Sequence, residues 1–193
     1  MDFQCALNNI RKRIITVGNS VGRSGAHFGS SLSLVEILFS VYSSLNINNS
    51  NEDRVILSKG HGALGLFVIL EYFKLMDTES VDQFEVNGSG IFAHASKSSA
   101  NNIEFSGGSL GLGLPFGVGI ALSNSLKKKS CKTVVILGDG ECDEGIVWES
   151  LQFASHHKLS NLIVIVDNNR FQSDGEKSSI LNNGSLVDKF SSF

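Results

Sequence analysis

Gly138-Asp139-Gly140 is followed, after 27 intervening residues, by Asn168-Asn169. Each group closes a run of strand-forming residues: Thr133-Val-Val-Ile-Leu137 before the first and Leu162-Ile-Val-Ile-Val166 before the second. A carboxylate at Asp139, an amide oxygen at Asn169 and a backbone carbonyl just beyond make a half-shell of hard oxygens. Magnesium prefers such a shell, completed by phosphate oxygens and water. The glycines beside Asp139 let a backbone approach a diphosphate, and a helix N-terminus following them adds N–H donors. Alone, Gly-Asp-Gly reads as a turn. Paired with Asn-Asn across one strand–helix–strand unit, it reads as a metal–diphosphate site.

The elements that must hold these groups follow from the hydrophobic pattern. Both runs are β-branched and continuously apolar, as in parallel strands covered on both faces. Between them, Val147, Leu151 and Ala154 mark one face of a helix over about 146–157. Strand, helix, strand is a βαβ unit, and both carboxyl ends then lie on one edge of the sheet, where ligands bind. Upstream, Val55-Ile-Leu57 reads as a third strand feeding the turn Ser58-Lys-Gly-His-Gly62, and a helix is expected over about 63–75. Ser33 and Glu36 have capping-box spacing ahead of Leu34, Leu38, Val41 and Leu45. Gly113, Gly117 and Ala121 form a strip of small residues on a further helix, suited to close packing by another backbone, within the core or in a partner. Pro115 is tolerable near that helix's start, and Lys127-Lys128-Lys129 is its solvated end. The alternation predicts an α/β domain.

The whole chain of 193 residues has 41% apolar and 18% charged residues, a net charge of -3 and three cysteines, Cys5, Cys131 and Cys142. One domain with a real core fits that length. The weak negative charge argues against nucleic acid and anionic membrane as partners. The apolar stretch 110–122 is too short to span a bilayer. With no secretory pattern at the start and an odd number of thiols in no metal-ligand spacing, a reducing cytoplasm is the expected compartment. His156 and His157 suit a helix C-terminus, and Asn87-Gly88, Asn183-Gly184 and Ser173-Asp174-Gly175 read as turns.

Taken together the motifs resemble the transketolase superfamily, from about residue 10 to the end of the chain. Gly138-Asp-Gly140 with Asn168-Asn169 looks like its thiamine diphosphate signature. Ser24-Gly-Ala-His27 resembles one histidine turn, with Ala26 where glycine is usual, and Leu57-Ser-Lys-Gly-His61-Gly62 resembles a second. Ile91-Phe-Ala-His94 sits where a Gly-His pair is usual, and Gly107-Gly-Ser-Leu110-Gly-Leu-Gly113 matches the glycine-rich helix start. Enzymes of the pyruvate dehydrogenase type share the Gly-Asp-Gly and Asn-Asn pair but not this series of histidine motifs.

The resemblance implies a thiamine-diphosphate-binding fold, a mostly parallel sheet flanked by helices on both faces, with 1–193 as one diphosphate-binding domain incomplete at its C-terminus. It implies that Asp139, Asn169 and the backbone carbonyl of Phe171 hold magnesium. Gly140, His61, Gly108 and Leu110 would line thiamine diphosphate, Leu110 through its main chain near the aminopyrimidine. His27, His61 and His94 would serve the reacting carbon and the sugar hydroxyls. Glu144 would lie near a subunit interface, linked to the partner's catalytic carboxylate, and Cys142 is incidental.

Family members supply the glutamate that activates the aminopyrimidine from a second domain, and some carry that domain on a separate polypeptide. The expectation is therefore the N-terminal subunit of a transketolase-like enzyme that moves two-carbon ketol units between sugars or sugar phosphates. It would be inactive until joined to a C-terminal, pyrimidine-binding subunit in a dimer or heterotetramer. The alternative is a non-catalytic remnant of the fold that only binds.

Overall fold

The computed structural model describes residues 3–22, 25–45, 53–173 and 175–193. Ser24 of the first histidine turn and Asp174 of the Ser-Asp-Gly turn lie outside the described residues. The described residues fall into two compact units, Met1–Leu45 with Gly60–Gly108, and Asn46–Lys59 with Ser109–Phe193.

The first unit is helical: α1 (Phe3–Ser20), α2 (Phe28–Ser33), α3 (Val35–Ser44), α4 (Ala63–Tyr72) and α5 (Thr78–Asp82). Helix α1 buries Ala6, Leu7, Ile10, Ile14 and Val17, a stripe at helical spacing. Residues Ala63 through Leu70 of α4 are all buried, and only its last turn, with Glu71 and the exposed Tyr72, reaches solvent. It ends before the expected Leu75 because Lys74 turns left-handed, at φ 58°. Arg13 of α1 grips Glu71 of α4 with two hydrogen bonds of 2.9 Å and reaches Asp82 of α5 at 2.7 Å.

The expected capping box does not form. Leu34, the residue before α3, is itself right-handed helical, so α2 runs almost directly into α3. No free helix start is left for Ser33 to cap. Its hydroxyl donates to the Ser30 carbonyl instead, and Glu36 pairs with Arg11.

The second unit holds a parallel sheet of β1 (Arg54–Leu57), β2 (Thr133–Gly138) and β3 (Leu162–Asp167), in that spatial order. Helix α6 (Gly113–Leu126) precedes β2, and α7 (Gly145–His156) joins β2 to β3. The central strand β2 is buried throughout, on both faces, as its apolar run predicts. The other long strand departs from expectation: β3 stands at the edge among the described residues, and its Ile163 is 37% exposed.

The small-residue strip packs on this chain's own sheet. A Cβ at Gly117 would fall inside the contact distance of Val135 Cγ2, and one at Gly113 would overlap Ser58. Gly113, Gly117 and Ala121 are buried, so the idea that they present a surface to a partner is corrected. Strand β2 needs small residues there because Val135 and Thr133 already fill the gap beneath the helix.

After β3 a short antiparallel hairpin pairs β4 (Phe171–Gln172) with β5 (Gly175–Glu176). Helices α8 (Lys177–Ile180) and α9 (Leu186–Phe190) follow, and the last residues fold onto Trp148 of α7. Phe190 meets the indole edge-on at 5.3 Å, and Lys189 Nζ stands 5.4 Å from the indole centroid. No helix among the described residues is long and apolar enough to cross a membrane.

Candidate functional site

The register of the sheet builds the site. Gly138 of β2 pairs with Asp167 of β3, so the loops leaving both strands begin side by side. The Asp139 N–H donates to the Asp167 carbonyl at 3.2 Å, and Asp139 Oδ2 accepts the Arg170 N–H at 2.9 Å. Its Oδ1 accepts the Gly140 N–H at 3.0 Å. Asp139 is only 1% exposed, and no cation among the described residues bonds it. Each carboxylate oxygen has accepted one bond and keeps a lone pair.

Asn169 Oδ1 accepts the Phe171 N–H at 2.9 Å, closing a local turn that sets the following carbonyls. Asp139, Asn168, Asn169, Arg170 and Phe171 line one cavity of about 580 Å³, whose other wall comes from residues 176–178 and 181–187. The structure therefore places Asp139, Asn169 and Phe171 along one cavity. A Cβ at Gly140 would press on the Gln172 side chain, 2.9 Å away. The expected helix start is also displaced. A 3-10 turn, Glu141–Asp143, separates Gly140 from α7.

Two buried charged residues that sequence reasoning passed over lie directly beneath this loop. Lys59, 1% exposed, places Nζ 2.6 Å from Asp167 Oδ2. Glu141, 2% exposed, accepts from Ser58 Oγ, from the Gly111 N–H at 2.7 Å and from the Gly138 N–H at 3.0 Å. Burial pushes the Glu141 carboxyl up, against the pull of these donors and of Lys59. Both residues sit inside glycine-containing motifs, and a charge next to glycines normally marks a solvated loop. The only signal available was that a Lys and a Glu each stood just past the end of a buried strand.

Cys142 is not a nucleophile. It is buried, its thiol donates to the Gly138 carbonyl at 3.3 Å, and burial pushes its pKa up to about 12. Asn183 does more than turn the chain: it bonds Asp143 and also accepts from Lys177 Nζ at 3.2 Å. Lys177 Nζ itself lies 3.0 Å from Asp143, which ties the cavity's far wall to the 3-10 turn. Glu144 is exposed at the start of α7, and Leu110 is 36% exposed.

In the first unit, the fold gathers His27, His61 and His94. The His27 ring centroid lies 6.0 Å from that of His61 and 5.8 Å from that of His94, with edge-on geometry. His27 and His94 are exposed, and His61 is half-buried. Gly60 and Gly107 hold the turns beside them in backbone contact, since a Cβ on Gly107 would come 2.9 Å from Gly60 Cα. Gly108, at φ 149°, follows this contact. His156 and His157 are exposed at the end of α7, apart from these motifs in the chain. Among the described residues no three His, Cys, Asp or Glu side chains converge as a metal-binding group.

A parallel sheet whose strand ends present Gly-Asp-Gly and Asn-Asn defines a diphosphate-binding α/β protein. The sequence matches the family described as "Transketolase, thiamine diphosphate binding domain" over residues 6–193, and the chain belongs to that family. It is 35% identical over 191 residues to an apulose-4-phosphate transketolase subunit of Actinobacillus succinogenes, covering 95% of this chain and 68% of that protein. It is 34% identical over 200 residues to the 6-deoxy-6-sulfo-D-fructose transketolase subunit SqwG of a Clostridium species, covering 100% of this chain and 72% of that protein. A solved mutant transketolase of Pichia stipitis superposes with a TM-score of 0.85 at 27% identity, over 98% of this chain and 30% of that one. The transketolase of Campylobacter jejuni gives 0.81 at 26% identity, over 100% of this chain and 32% of that one. The chain thus spans about a third of the length of these solved transketolases.

Proposed function

We propose that this chain binds thiamine diphosphate through magnesium and acts as the N-terminal subunit of a transketolase-like enzyme. The observation that carries the reading is the charge balance at the carboxyl ends of β2 and β3. Asp139, Glu141 and Asp167 are buried there, and the buried ammonium of Lys59 is bonded to Asp167. Buried charges need partners, and a divalent cation against Asp139 supplies one. The donor set also suits magnesium, because carboxylate, amide and carbonyl oxygens are hard ligands.

In this reading Asp139, Asn169 and the Phe171 carbonyl hold the ion, and the cavity beside them takes the diphosphate. Gly140, Gly108, Leu110 and His61 line the rest of the cofactor. When bound, thiamine diphosphate supplies the carbon nucleophile and electron sink for breaking and remaking the ketol carbon–carbon bond. His27, His61 and His94 orient sugar hydroxyls and move protons at the substrate oxygens. Imidazoles suit that work because their ordinary pKa lies near neutrality. Glu144 faces the subunit interface, where it orients the carboxylate of a pyrimidine-binding partner. The names of the relatives support a role within a larger enzyme, since both are called transketolase subunits.

The test is a titration of the full chain with thiamine diphosphate, with and without magnesium, followed by Trp148 fluorescence and calorimetry. Magnesium-dependent saturation is expected, strengthened by a pyrimidine-binding subunit, with ketol transfer only when both chains are present. Saturable binding indifferent to EDTA would remove the metal assignment. Turnover by this chain alone would remove the need for a second chain.

A further inference from the structure

The Glu141 carboxylate is the meeting point of three separate stretches of chain. Ser58 follows β1, Gly111 lies in the glycine-rich turn before α6, and Gly138 ends β2. All three donate to this one side chain. Ser58 Oγ is itself held, because it accepts the Gly113 N–H at 3.1 Å. Gly111 adopts φ 82°, a conformation open to glycine, and so turns its N–H towards the carboxylate without strain. A buried side chain thereby ties together the turn after β1, the turn before α6 and the end of β2. Leu110 precedes one of its donors and Asp139 follows another.

We propose that Glu141 is a positioning residue for the diphosphate site, setting where the Leu110 main chain and the Asp139 carboxylate stand. The inference rests on the function proposed above. A carboxylate suits this task better than an amide. It accepts at both oxygens, and bonds from N–H and O–H groups to an ionised acceptor are shorter and stronger than neutral ones. Glutamine keeps the shape, but its NH2 faces one of the donors, so at least one of the three bonds is lost.

The experiment compares the full-length chain with Glu141→Gln, Ser58→Ala and, as a control in the helical unit, Arg13→Ala. Two readouts are taken: calorimetric binding of thiamine diphosphate with magnesium, and NMR shifts and exchange rates of the Gly111 and Gly138 amides. In the parent chain both amides are expected downfield and slow to exchange. Glu141→Gln should move one or both and weaken cofactor binding about 10- to 100-fold, the usual range for residues that orient ligands from behind. Ser58→Ala, a smaller change that keeps the fold if Glu141→Gln does not, should shift the Gly111 amide and weaken binding less. Arg13→Ala should lower the melting temperature and leave both amides and the affinity unchanged. The proposal is overturned if Glu141→Gln or Ser58→Ala stays folded with unaltered affinity, or if Arg13→Ala weakens binding as much as they do. If the parent chain binds no cofactor, the functional reading fails. The amide shifts then still decide whether Glu141 organises the two turns.

Discussion

Lys59 Nζ lies 2.6 Å from Asp167 Oδ2, and the two residues come from the ends of the outer strands of the sheet, β1 and β3. The bond passes beneath the end of β2, where Gly138 lies 3.7 Å from the Lys59 side chain when measured from the position of a Cβ. Removing one member of a buried pair leaves the other charge stranded, so Lys59→Ala should destabilise by about 3–5 kcal/mol. Urea denaturation would measure it. Lys59→Met combined with Asp167→Asn should recover part of the loss, and equal destabilisation by the single and double changes would contradict the pairing.

Asp139→Ala should abolish magnesium-dependent binding of thiamine diphosphate, because it removes the one charged ligand assigned to the ion. Asn169→Ala should weaken binding less, since a neutral oxygen contributes less against a divalent charge. Calorimetry at fixed magnesium distinguishes them. Comparable affinity for Asp139→Ala and the parent chain would move the metal elsewhere.

Gly117 and Gly119 sit two residues apart on α6 with opposite surroundings. Gly117 faces Val135, whereas nothing lies within 4 Å of a Cβ on Gly119. Gly117→Leu should cost about 1–3 kcal/mol, or more if the helix cannot shift, by overpacking against β2. Gly119→Ala should be stabilising by roughly 0.5–1 kcal/mol, because alanine loses less backbone freedom in a helix. Thermal melts of the two variants should move in opposite directions.

Of the three thiols, Cys5 is exposed and Cys131 and Cys142 are buried. Iodoacetamide at neutral pH should label Cys5 alone in the folded chain, as peptide mass spectrometry would show. The Cys142 thiol also makes stability fall at alkaline pH. Its pKa is about 12 folded and about 8.5 unfolded. The unfolded chain therefore loses this proton first, and stability declines as pH rises between those values. Cys142→Ser should flatten that part of the pH profile. An unchanged slope would assign the decline to other groups, Tyr42 among them, whose buried phenol is also pushed up.

The strands and the principal helices were legible because their signals are local. Val134, Val135 and Ile136 are buried as their unbroken apolar run predicts, and Val147, Leu151 and Ala154 share the inner face of α7. The pairing of Asp139 with Asn169 was legible too, because a βαβ unit leaves only one edge for both loops. Other features depended on distances that no short stretch of sequence encodes. Ser33 and Glu36 have capping spacing, yet a neighbouring helix runs into the site of the cap and Arg11 claims the glutamate. Gly113, Gly117 and Ala121 advertise close packing, but only the position of Val135 and Ser58 shows that this chain's own sheet fills it. Lys59 and Glu141 read as ordinary polar loop residues until the sheet closes over them. Their burial is tolerable only because Asp167, Ser58, Gly111 and Gly138 arrive from distant parts of the chain to satisfy them. By itself, then, the sequence determined which residues meet at the strand ends. Tertiary structure alone decided which charges hold them there, because a buried charge is stable only beside partners that folding brings to it.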